Sequence, residues 1–133
     1  MSKNPVVHFE MPYDDAKRVS DFYEQAFGWG MRLVPGEAMG NYVTAQTAET
    51  DENRMVTTPG TINGGFFPKK ADFPAQYPSV VISVDDIKEA MAKVTEAGGS
   101  VLGEPTAIPG IGSYVSFTDT EGNRVSLLQP HMR

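Results

Sequence analysis

The chain contains no cysteine among its 133 residues, which excludes disulfides, thiolate nucleophiles and cysteine-ligated zinc and fits a reducing compartment. No apolar run approaches the ~18 residues of a membrane-crossing helix, and the opening Met1-Ser2-Lys3-Asn4-Pro5 lacks the apolar stretch of a signal peptide. The expectation is a cytoplasmic protein with no membrane partner. Positive charge is also scarce: 11 Lys and Arg stand against 17 Asp and Glu, a net charge of −6, and the basic residues are scattered. This balance argues against nucleic acid as a partner and favours a cationic or neutral ligand over an anionic one.

Hydrophobic residues at 40% and charged residues at 21% describe an ordinary globular composition without a disorder signature. The length is about one domain's worth. Within it, residues 79–99 read as a copy of residues 6–28. At a shift of 71 positions Asp14-Asp15 meets Asp85-Asp86, Lys17 meets Lys88, Ala26 meets Ala97, and Gly28 meets Gly99. Two half-length units must therefore share a core or pair with another chain.

Each copy opens with an apolar or alternating run, 6–11 and 80–84, that reads as a strand. An aspartate pair then supplies a helix N-cap, with either member able to serve. Apolar residues follow at helical spacing, as Ala16, Val19, Phe22, Tyr23 and Ala26 in one copy and Ile87, Ala90, Met91, Val94 and Ala97 in the other. Glycine ends both runs.

Strands are next expected at 29–34, before a Pro35-Gly36 turn, at 42–46 and at 62–67, where Gly64-Gly65 marks a bulge or a close approach. The polar, acidic 47–60 stretch between the last two reads as a loop, either a lid or simply mobile. The second copy continues with a helix over 86–97, a strand around Val101-Leu102, and strands at 113–118 and 124–129. Gly122 supplies the positive φ of the hairpin joining these last two. The predicted fold is α+β, a tandem βαβββ arrangement: 1–68 is the first module, the proline-bearing 69–78 a linker, and 79–133 the second module, together one domain.

A paired βαβββ order with Phe22-Tyr23 and Phe27-Gly28-Trp29 closing the first helix resembles the vicinal-oxygen-chelate superfamily of glyoxalases, bleomycin-resistance proteins and extradiol dioxygenases. His8-Phe9-Glu10-Met11-Pro12, Asn63-Gly64-Gly65-Phe66, Val84-Asp85-Asp86, Ala97-Gly98-Gly99, Pro109-Gly110 and Asp119-Thr120-Glu121-Gly122-Asn123 resemble the pattern of its glyoxalase-like members across nearly the whole chain. Thr120 departs from the proline often found there. The resemblance implies that each module curls into half of a barrel-like cleft with the helices outside and the ligand on the concave face. In metal-dependent members four side chains hold a divalent ion, one from the first and one from the last strand of each module.

Those four positions fall on His8, on Ser79 (71 positions later), on Ser126, where glyoxalase-like members carry Glu, and on its first-copy counterpart Gly64, 62 positions earlier. One imidazole, two hydroxyls and a glycine do not make a divalent-metal site. No cofactor is expected, with a divalent ion as the alternative.

Strand alternation turns Val7, Phe9 and Met11 toward the helix and leaves His8 and Glu10 on the other face. His8 reads as a pocket wall, a hydrogen-bonded structural residue or a proton-transfer group. Glu10 is either a rim carboxylate in water or a base in a dry cleft. Ser79, Ser83 and Ser126 are assigned to the same concave face, with Gly64, Phe66, Tyr114 and Leu128 as further ligand contacts and no metal ligand. Trp29, Tyr42 and Phe67 read as core or cleft lining, and His131 as tail.

Three functions are compatible with this pattern. The first is a metal-free module binding a small organic molecule. The second is a metal-dependent lyase, isomerase or dioxygenase with a site rebuilt from His8, Glu10 and an acid of 49–52. The third is a protein with a vestigial cleft whose dimer surface is the functional part. A homodimer is expected, with Met31, Leu33 and Phe73 as contact residues, since two small sheets leave exposed edges.

Overall fold

The computed structural model describes residues 3–34 and 41–131, so the turn expected at Pro35-Gly36 lies outside the described residues. Among them the order is β1 (Val6–Tyr13), α1 (Ala16–Phe27), β2 (Gly30–Val34), β3 (Tyr42–Gln46), β4 (Asn63–Pro68), β5 (Ser79–Ser83), α2 (Ile87–Glu96), β6 (Ser100–Ile108), β7 (Gly112–Thr118) and β8 (Arg124–Pro130). This is βαβββ twice, as the repeat predicts.

Two compact units result: His8–Phe73, and Pro74 onward together with the segment ending at Val7. The sheet of the first runs β2-β3-β4-β1 and that of the second β5-β8-β7-β6. In both, the first strand lies parallel to the last strand of its own copy and the other pairs are antiparallel. Pro5 joins the second unit by accepting a hydrogen bond from the Ser83 amide at 2.9 Å.

The second aspartate of each pair is the cap. Asp15 accepts from the Arg18 amide at 3.0 Å and Asp86 from the Glu89 amide at 3.1 Å, each satisfying a first-turn N–H that the helix leaves open. The helix ends differ. Gly28 takes the left-handed conformation (φ 70°) directly after α1, whereas α2 ends on a right-handed Ala97 and the positive φ is carried by Gly98 (104°).

Each helix covers one face of its sheet. In the first unit Ala16, Val19 and Tyr23 pack with Phe9, Met11, Trp29 and Met31 around buried Val43, Ala45 and Phe66. The rings are in mutual contact: Tyr23 stacks on Trp29 at 4.6 Å between centroids, and Phe66 lies 5.3 Å from Tyr23. In the second unit Ala90, Met91 and Val94 pack on an aliphatic core of Val84, Ile87, Val115 and Leu127 with Phe117. Met31, expected as a dimer contact, belongs to the first of these cores; Leu33 and Phe73 are about half exposed.

One strand differs in extent from expectation. β6 runs well beyond Val101-Leu102, because Gly103-Glu104-Pro105 interrupts its alternation and the strand resumes pairing at Thr106 after a register shift. The 47–60 stretch is a loop, as expected; within it Thr50 bridges Val56, and the Asp51 carboxylate accepts from the amides of Asn53 (2.8 Å) and Met55 (3.1 Å). Side-chain hydrogen bonds of this kind replace the ladder in tight turns.

Candidate functional site

In the first unit the helix-free face carries His8 and Glu10, as alternation predicts, and a third group, Tyr42, which residue type alone places in the core or cleft lining. Tyr42 donates its hydroxyl proton to Glu10 Oε2 at 2.9 Å, and His8 Nε2 lies 3.2 Å from the Tyr42 hydroxyl oxygen. Glu10 is only 5% exposed, so it is not a rim carboxylate in water. Burial disfavours the imidazolium and brings the His8 pKa down from 6.5 to about 4, leaving the ring neutral at neutral pH.

The glycine pair is what allows Tyr42 to reach these partners. In the β1–β4 register Glu10 sits opposite Gly65 and Phe9 opposite Gly64. A Cβ on Gly65 would drive into the Tyr42 ring, and one on Gly64 into the Phe9 ring. The two glycines thus make room for two aromatic rings on opposite faces of the sheet, one helix-side and one helix-free. This is the close approach expected of the glycine pair.

Gly64 and Phe66 therefore face the helix, contrary to their assignment as ligand contacts. Phe66 is 1% exposed in the aromatic core. The cause is a one-residue offset between copies. Glu10 pairs with Gly65 and Met11 with Phe66, while Val81 pairs with Ser126 and Ile82 with Leu127. Since residues 10 and 81 are repeat-equivalent, Ser126 corresponds to Gly65 at a spacing of 61, not to Gly64 at 62. In a strand such a slip moves every side chain to the other face.

In the second unit the predicted residues do share the helix-free face. Leu128 lies opposite both Ser83 and Tyr114, and Ser126 lies opposite Val81 and Ser116. Ser79 falls on that face by alternation from Ser83. Ser126, 2% exposed, is the hub of a hydroxyl cluster, with Tyr114 Oη at 2.8 Å and Ser116 Oγ at 2.9 Å. Arg124 closes the cluster by donating from Nη2 to Ser116 Oγ at 3.4 Å.

The four positions at which the fold family holds a divalent ion thus carry His8, Gly65, Ser79 and Ser126. Gly65 offers no donor, the Ser126 hydroxyl is engaged with two others, and His8 Nε2 is engaged with Tyr42. Among the described residues no three His, Asp or Glu side chains gather as a metal site. This donor set does not fit a divalent ion, which asks for about three imidazole or carboxylate ligands.

Two hollows lie elsewhere, beside the helix starts. One of about 390 Å³ is lined by Pro12, Tyr13, Asp15, Arg18, Val19 and Phe22, and one of about 320 Å³ by Asn4, Val84, Asp86, Glu89, Ala90 and Lys93. None of the expected ligand residues lines either.

The sequence pattern of the Glyoxalase/Bleomycin resistance protein/Dioxygenase superfamily matches residues 6–127. A glyoxylase-like domain-containing protein of Didymella fabae is 31% identical over 117 residues, spanning 86% of this chain and 84% of that protein. A probable lactoylglutathione lyase of Vibrio cholerae is 26% identical over 132 residues, with coverages of 97% and 93%. Among solved structures, methylmalonyl-CoA epimerase of Streptomyces coelicolor in complex with 2-nitronate-propionyl-CoA shares the fold, with a TM-score of 0.72 at 14% identity over 98% of this chain and 100% of that one. No helix among the described residues is long and apolar enough to cross a membrane.

Proposed function

The chain belongs to the Glyoxalase/Bleomycin resistance protein/Dioxygenase superfamily, and from that premise we propose that it is a binding protein for a small organic molecule, held on the helix-free sheet faces without a metal ion. The observation that carries this reading is the donor set: a glycine and two serines stand at three of the four family metal positions. Aromatic rings and hydroxyls with a few charged or titratable groups, His8, Glu10 and Arg124, are side chains of the kind that line small-molecule sites. Ligand contacts are assigned to His8 and Glu10 on the first unit and to Ser79, Ser83, Tyr114, Ser126 and Leu128 on the second. That the epimerase of the same fold is complexed with a small organic molecule, 2-nitronate-propionyl-CoA, supports a small-molecule occupant.

The protein is taken to act in the cytoplasm as a homodimer. Its lack of cysteine supports the first point, and half-exposed Leu33 and Phe73 support the second.

Elemental analysis of protein purified without chelators tests the reading. Far less than one divalent ion per chain is expected, together with no change in melting temperature on adding Zn²⁺, Ni²⁺ or Mn²⁺. One tightly held ion per chain would overturn it. The same result would favour a metal-dependent lyase, isomerase or dioxygenase instead, a reading supported by His8 and Glu10 sharing one face and one tyrosine.

A further inference from the structure

The hydrogen bonds on the helix-free face of the first unit have a direction, and the direction constrains the His8 ring. A tyrosine hydroxyl has one proton to give and two lone pairs with which to accept. Tyr42 gives that proton to Glu10 Oε2 at 2.9 Å. The Tyr42 oxygen can therefore meet His8 Nε2, 3.2 Å away, only as an acceptor. A neutral imidazole carries a proton on one nitrogen alone, so a protonated Nε2 leaves Nδ1 as a bare lone pair.

We propose that Glu10 and Tyr42 are positioning residues that hold His8 in its Nε2–H tautomer, so that His8 Nδ1 presents a hydrogen-bond acceptor to a ligand bearing an N–H or O–H donor. The chain runs one way, from His8 to Tyr42 to Glu10. Gly65 keeps it in place by leaving space for the Tyr42 ring, and Glu10 and Tyr42 are both buried, which shields the bonds from competing water. The recognised class is thus an alcohol, phenol, amine or amide. Ethers, esters and tertiary amides lacking a donor leave Nδ1 without a partner, and a site built around a polar group discriminates strongly against an analogue that cannot pair with it. The ligand half rests on the small-molecule reading above, whereas the tautomer half does not.

Long-range 15N–1H correlation spectra of the uniformly labelled protein read the ring directly, and only one other histidine, His131, has to be distinguished. At neutral pH His8 is expected to show one fully protonated nitrogen, Nε2, with a slowly exchanging proton, and one fully unprotonated nitrogen, Nδ1. Tyr42→Phe is expected to collapse this separation toward the averaged pattern of a freely exchanging ring and to speed exchange of the Nε2 proton. A His8 ring protonated at Nδ1, or an unchanged pattern in folded Tyr42→Phe protein, overturns the lock. If that variant does not fold, the wild-type spectrum alone decides.

The ligand half is tested by saturation-transfer screening of matched fragments that differ only as alcohol against methyl ether and primary against tertiary amide. Binders are expected from the donor-bearing members, with the Nδ1 resonance moving toward its protonated position. Equal binding by ethers and tertiary amides overturns the acceptor role. No binder in either half counts against the small-molecule reading itself, while the ring spectrum still decides the lock.

Discussion

The two units share a chain path and a strand register, yet their buried chemistry differs on both faces. On the helix side, Phe66 of the first unit and Leu127 of the second occupy equivalent ladder positions, opposite Met11 and Ile82. One belongs to a core of rings, the other to a core of branched aliphatics. On the helix-free side the equivalent pair is Gly65 and Ser126. Glycine admits the Tyr42 ring and hence the link between an imidazole and a carboxylate, whereas serine ties two neutral hydroxyls together. Duplication thus preserved the backbone while the helix-free face gathered an imidazole and a carboxyl group in one copy and neutral hydroxyls in the other.

The largest expected effect breaks the helix-side half of this comparison. Phe66→Ala removes a fully buried ring and should cost about 3–5 kcal/mol in urea unfolding, at or above the loss from Leu127→Ala. A loss below about 1 kcal/mol would mean that Phe66 faces the ligand side after all.

The next effect isolates the charge-capable half. Above pH 6.5 the folded and unfolded chains both carry neutral His8, so its burial costs nothing. As pH falls from 6.5 to about 4 the unfolded chain takes up a proton that the folded chain resists. Stability should therefore decline through that window by up to about 3 kcal/mol from this residue. His8→Gln should flatten that part of the profile in denaturant titrations at several pH values, and an unchanged slope would contradict the burial-lowered pKa.

A smaller effect tests the glycine. Gly65→Ala should displace the Tyr42 ring and destabilise by about 1–3 kcal/mol, the usual cost of overpacking. It should also change the near-ultraviolet tyrosine signal. The smallest effect belongs to the hydroxyl cluster: Ser126→Ala should cost about 1 kcal/mol in thermal unfolding, because Tyr114 and Ser116 lose one neutral hydrogen bond each. An Ala at 126 more damaging than an Ala at 65 would reverse the comparison.

Local rules sufficed for the sequence to determine a good deal. Capping aspartates, helical spacing, terminal glycines and strand alternation act over a few residues, and the 71-residue repeat doubles each signal. Hence the βαβββ order, both helices and the faces of His8, Glu10, Ser83 and Ser126 were legible. So was the poverty of metal donors, since residue identity alone decides what can ligate.

Tertiary structure decided what depends on register. Phe66-Phe67-Pro68 and Leu128-Gln129-Pro130 align by residue type, but parallel pairing with β1 and β5 sets the correspondence one residue away. That single step sent Gly64 and Phe66 to the helix side. The role of Tyr42 was equally hidden, because its 32-residue separation from Glu10 leaves no periodic trace. Only the packing of its ring over Gly65 brings its hydroxyl to both partners, and side-chain fit across strands is a property of three-dimensional space that no local pattern encodes.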